Sequence, residues 1–162
     1  MKTSYLLPHK FKIIGWILLV PATILGVFIL FNDFEFSFLN IKVLSLFPSF
    51  DATPGIAKTF NYSAIVENNF TNELAAILFI TAAILVAFSK EKDEDEFISK
   101  IRLESLLFAT YTNYAILIIC LLFLYDFSFG YALIINMFTL LIVFIIRFNF
   151  VLFKLKSNLN EK

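Results

Sequence analysis

Hydrophobic residues along this chain gather into four runs, separated by polar stretches of different character. Ile13–Phe31 holds 19 residues without a charge and Leu74–Phe88 holds 15. Ser105–Tyr125 and Tyr131–Ile146 follow, with only the five residues DFSFG between them. At ~1.5 Å per residue, about 20 apolar residues cross a hydrocarbon core ~30 Å thick. The pattern therefore predicts an all-α membrane protein with four transmembrane helices over 13–31, 71–88, 93–125 and 131–153. The third includes a charged stalk before it enters the apolar run, and the fourth continues past Arg147. All four belong to one domain spanning 1–162.

The stretch Ser89–Glu104, SKEKDEDEFISKIRLE, divides the four runs into two hairpins. Asp93 with Glu96 three residues on has the form of a capping box, and acidic residues suit the positive end of a helix dipole. Glu96 and Lys100 are spaced to pair at i,i+4, while Phe97, Ile98 and Ile101 form an apolar stripe. A helix starting near Asp93 is expected.

Residues 32–70 read differently. Phe34, Phe36 and Phe38 alternate with Asp33, Glu35 and Ser37, the period of a half-buried strand. Ile41–Phe47, the turn-like PSFDATPG and a second candidate strand at Thr59–Val66 complete the region. It reads as a Phe-rich loop holding short strands, or as an aromatic loop in the headgroup layer. Its two sequons, at Asn61 and Asn69, are given no role.

Within the runs, Trp16 is placed as an interfacial anchor and Pro21 as a bend. The first run is expected to stay uncleaved, because it exceeds a signal-peptide core and FNDFEF follows it. Ala22 and Gly26 offer a small-residue face for a close neighbour. Ala75, Ala76, Ala82, Ala83 and Ala87 mark the second helix as the one suited to the bundle interior.

Composition sharpens the class. Hydrophobic residues make up 60% of the chain, Phe alone supplies 22 of 162, and the mean hydropathy is +0.85, more apolar surface than one soluble core can hide. Net charge is zero, so no basic field recruits nucleic acid. The distribution of cations is uneven. With four crossings, one side receives 11 of the 13 Lys and Arg, and the other only Lys42 and Lys58. The positive-inside rule then places both termini and the charged stretch in the cytoplasm and the 32–70 loop outside.

Candidate chemistry is sparse. Asp93, Glu94, Asp95 and Glu96 cannot converge on one ion, since successive helical residues point about 100° apart; a partner-docking patch is the functional reading. Tyr111, Asn113, Asn136 and Thr139 are the polar groups inside apolar runs, where they make interhelical contacts or line a path. Counted inward from the DFSFG connection, Asn113 lies ~18 Å deep and Asn136 ~8 Å deep, so the two are not expected to touch. Glu104 and Arg147, ~32 Å and ~24 Å inward, form the candidate interfacial ion pair. His9 reads as a solvated interfacial residue and the lone Cys120 as a packed thiol. Neither a P-loop, GxGxxG, HExxH, CxxC nor nucleophile elbow is present, so no catalytic, cofactor or metal residue is assigned.

Three segments, LLPHKFKIIGW (Leu6–Trp16), SKEKDEDEFISKIRLESL (Ser89–Leu106) and NMFTLLIVFIIRFNFVL (Asn136–Leu152), resemble a group of small bacterial four-helix integral membrane proteins. The resemblance implies an inner-membrane location; it carries no activity and no site residues. The expected role is a non-enzymatic accessory, sensory or scaffolding component in the lipid bilayer, with a cytoplasmic or membrane protein partner docking on the charged stretch. A transporter or channel subunit, built as a homo-oligomer, is the alternative.

Overall fold

The computed structural model describes residues 6–32, 34–44, 65–92 and 94–160. It is mostly helical: α1 (His9–Asn32), α2 (Thr71–Ala87), α3 (Glu96–Phe123) and α4 (Asp126–Asn160), with a two-stranded sheet of β1 (Asn40–Leu44) and β2 (Ile65–Asn69) between α1 and α2. Three helical segments, His9–Asn32, Glu96–Phe123 and Ser128–Leu155, are long and apolar enough to cross a membrane, while α2 is shorter at 17 residues.

The chain runs up and down four times. α1 packs along α2 and α3 along α4, and α2 against α4 joins the two hairpins. One end of the bundle gathers the start of α1, the α2–α3 connection and the later part of α4; we call it the charged end. The other carries the sheet.

Small residues govern the α1–α2 contact. Lys12, Gly15, Leu19 and Ala22 are buried along one stripe of α1, and Ala75, Phe79, Ala82, Ala83, Val86 and Ala87 along α2. The alanine-rich second helix is thus the interior one, as its composition predicts. The point of closest approach differs from the expected Ala22–Gly26 pair. A Cβ on Gly15 would lie 2.9 Å from Leu85 Cβ, Val86 Cγ2 and the Val86 backbone nitrogen, whereas one on Gly26 would meet nothing. Ala22 is buried but Gly26 lies beyond the tightest part of the interface, so the small pair is split.

Three helix starts moved, each for a local reason, and α4 runs on to Asn160, past the expected end at 153. α1 begins at His9 rather than Ile13, because Pro8 supplies an N-terminal stop whose carbonyl accepts from Phe11 N–H at 3.0 Å. α3 begins at Glu96, capped by Asp95, whose Oδ1 accepts from Ile98 N–H at 2.7 Å. The expected cap, Asp93, lies outside the described residues. α4 begins at Asp126, so DFSFG is helical rather than a connecting loop. Leu124, Tyr125 and a left-handed Asp126 (φ 54°) make the whole reversal, a conformation Asp tolerates better than most residues.

At the sheet end the expected strand alternation is displaced. Phe34–Phe36 run without regular structure, Ser37–Leu39 form one 3-10 turn, and β1 starts at Asn40. The rings of Phe28, Phe34, Phe36 and Phe38 contact in series at centroid distances of 5.3, 4.8 and 5.3 Å. β1 and β2 are antiparallel, from Asn40 opposite Asn69 to Leu44 opposite Ile65. The second strand includes Ile65 and Val66 of the expected Thr59–Val66 and runs on to Asn69; Thr59–Ala64 lie outside the described residues.

Asn69 ties this sheet to the helices. Its Nδ2 donates to the Phe36 carbonyl (3.0 Å) and to Asn40 Oδ1 (2.7 Å). Its Oδ1 accepts from Thr71 N–H (3.0 Å) and from the Thr71 hydroxyl, and that hydroxyl oxygen accepts from Phe36 N–H (3.0 Å). Asn69 therefore satisfies the first free backbone N–H of α2, that of Thr71.

Candidate functional site

The densest polar constellation lies at the charged end, and it begins with backbone. Leu7, just ahead of α1, pairs with the α2–α3 connection as a single strand-like bridge: Leu7 N–H donates to Phe88 C=O (3.0 Å) and Lys90 N–H to Leu7 C=O (2.8 Å). His9 Nδ1 sits 3.0 Å from Lys90 C=O; a carbonyl only accepts, so Nδ1 carries the proton. These bonds hold the connection across the start of α1.

Two ion pairs then close over the bundle. Lys12 of α1 pairs with Glu91, and Glu94 accepts both terminal amino groups of Arg102 of α3, at 2.8 and 3.0 Å. The second Arg102 amino group also donates to Ser89 C=O at 3.2 Å, and Glu94 Oε2 accepts from Glu91 N–H at 2.8 Å. Beneath them lies Phe148 of α4, fully buried, with Lys12 Nζ 5.7 Å and Arg102 Cζ 5.0 Å from its ring centroid. Phe88, Phe144 and Phe148 stack in sequence, each 5.8 Å from the next. Every helix but α2 contributes a charged or aromatic side chain, and α2 leads directly into the connection. We refer to this assembly as the clasp.

Its energetics follow from burial. The four charged side chains are only 9–14% exposed. Desolvating them is costly, and the fork geometry with its extra backbone bonds offsets that cost. The arrangement therefore favours one relative placement of the two hairpins over others.

The acidic residues read from sequence separate accordingly. Glu94 is consumed in the clasp and Asp95 caps α3; Glu96 is exposed on the first turn of α3 and Asp93 lies outside the described residues. The intramembrane candidates also separate. Asn136 Nδ2 donates to Asn113 Oδ1 at 3.2 Å and to Asn113 C=O at 3.4 Å, so these two do touch. The depth count fails because α4 starts five residues earlier than expected. Asn113 and Asn136 then each lie ten residues from the ends that face one another, Phe123 and Asp126. Thr139 bonds its own helix at Ile135 C=O (3.1 Å), and Tyr111 is 73% exposed.

Glu104 and Arg147 do not pair among the described residues. Glu104 is exposed on α3, while the Arg147 guanidinium lies 3.9 Å over the Phe108 ring. The basic partner on α3 is Arg102, two residues away and therefore ~200° around the helix from Glu104. Sequence did hold a signal for the clasp. Arg102 interrupts the buried stripe Ile101, Ser105, Ala109, and Lys12 opens the stripe Gly15, Leu19, Ala22. A cation on the small-residue face of a helix marks a buried partner, though not which one.

Among the described residues no group of three His, Cys, Asp or Glu side chains could hold a metal ion. No protein-family model, curated protein or solved structure matches the chain.

Proposed function

We propose that the protein is a four-span membrane protein of a bacterial inner membrane, acting as a non-enzymatic scaffolding or accessory component. α2 is the fourth span. It is ~25 Å long, a little under the hydrocarbon thickness, and its polar neighbours Asn69 and Ser89 fall just beyond its two ends. The uneven Lys and Arg distribution supports placing the charged end and both termini in the cytoplasm.

The observation that carries the scaffold reading is the use of the buried polar groups. Asn113 and Asn136 bond each other and the clasp charges bond each other, so these groups hold helices together instead of lining a path. A rigid bundle then presents the exposed side chains of Lys92, Asp95, Glu96 and Lys100 beside the clasp for a cytoplasmic partner.

Crosslinking and mild-detergent purification from native membranes, comparing the wild type with Asp95→Asn/Glu96→Gln, tests this. Asn retains the cap, and both amides keep the side-chain size while removing charge. A specific partner held by the wild type and released by the variant is the expected result. No partner, together with solute or ion flux in reconstituted vesicles, would overturn it in favour of a transporter or channel subunit.

A further inference from the structure

Three cations enter the charged end of the bundle, and they are not treated alike. Lys12 and Arg102 each hold a carboxylate. Arg147 holds none among the described residues: the Nε of both arginines is buried without a hydrogen-bond partner, but Arg102 has Glu94 on its terminal amino groups, whereas the Arg147 guanidinium lies over the Phe108 ring. A half-buried guanidinium with no carboxylate on its terminal amino groups leaves that planar fork open to an anion supplied from outside the chain.

Position says which anion. Arg147 lies 21 residues into α4 from Asp126, ~32 Å along the axis, close to one hydrocarbon thickness. Its neighbours Ile146 and Phe150, and Phe108 on α3, are all exposed, so this surface faces lipid rather than the bundle interior. Lys154, two turns further along α4, is exposed as well. We infer that Arg147, backed by Phe108, is a binding site for the phosphodiester of an anionic phospholipid headgroup. The planar fork of Arg suits two phosphate oxygens, and stacking on Phe108 holds the fork in place before the lipid arrives. Glu104 lies one turn before Phe108 on α3, exposed and, among the described residues, in no ion pair. Its negative charge disfavours an anion at Arg147 and so lowers the affinity of the site.

The inference rests on α4 crossing a bilayer. The test uses the full chain in phosphatidylcholine nanodiscs doped with spin-labelled phosphatidylglycerol, reading the immobilised lipid fraction. Arg147→Gln is expected to lower the association constant about tenfold, the loss of one charged hydrogen-bonded contact. Arg147→Lys, which keeps the charge but not the fork, should fall between, and Glu104→Gln should tighten binding. Equal immobilisation in wild type, Arg147→Gln and Arg147→Lys would overturn the site. Should Arg147→Gln not fold, Arg147→Lys and Glu104→Gln decide, and no change in either overturns it. Displacement of the labelled lipid by millimolar inorganic phosphate would make the source a free anion and overturn the lipid assignment. A chain that fails to enter nanodiscs would instead sink the membrane reading itself.

Discussion

The two ends of this bundle are fastened by different chemistry. At the charged end, two acidic and two basic side chains, 9–14% exposed, close over Phe148; at the sheet end the one ion pair among the described residues, Lys42 with Glu67 at 3.5 Å, is 71% and 79% exposed. The sheet end relies instead on neutral groups, with Asn69 and Thr71 stitching β1, β2 and the start of α2 together. The difference teaches that burial, not the presence of opposite charges, decides what a pair contributes. Exposed pairs are worth ~0–1 kcal/mol, whereas stripping one partner from a buried pair costs ~3–5 kcal/mol.

The comparison breaks most visibly at Arg102. Arg102→Ala leaves Glu94 buried with its charge uncompensated, and a loss of about 3–5 kcal/mol is expected in a denaturant titration of the detergent-solubilised protein. Replacing both partners, as Glu94→Met/Arg102→Met, should recover most of that loss. If the single and double variants are equally unstable, the clasp acts by packing and not by charge.

Gly15→Ala probes the same end without touching charge. Its methyl meets backbone and Cβ atoms at 2.9 Å, so the α1–α2 contact must open, at about 1–3 kcal/mol. Gly26→Ala, in open space, is the matched control and should be near neutral. A smaller step is Asn136→Leu, which removes the bond to Asn113; such bonds between membrane helices average ~0.6 kcal/mol. A loss well beyond ~2 kcal/mol would mean that the pair does more than hold α3 to α4.

Lys42→Ala should change stability by less than about 1 kcal/mol, and any effect should shrink in 1 M salt. The clasp, being buried, should keep its contribution in the same salt. Equal salt sensitivity at Lys42 and Arg102 would erase the distinction between the two ends.

Much of the architecture was legible before any coordinates. Four apolar runs became four helices, and the alanines of 75–87 marked the helix that would be buried. Asp95 shows the limit of local reading: the acidic run announced a capped helix start, yet several neighbours could serve as the cap, and backbone geometry chose among them. The DFSFG turn shows the larger limit. Lying between two apolar runs, it was read as a connection, but the residues continued into α4, and a five-residue shift brought Asn113 and Asn136 to one depth.

What the sequence determined by itself was everything that depends on composition over a helix length: which segments are apolar enough for membrane-length helices and where charge interrupts them. Those properties are sums over many residues, so a misplaced boundary hardly alters them. Which carboxylate meets which cation was decided only by the tertiary structure. Glu94 chose Arg102 and not Arg147, and Glu104 met neither, because pairing depends on helix rotation and depth. A shift of two residues turns a side chain to the opposite face, and no sum over a window records that.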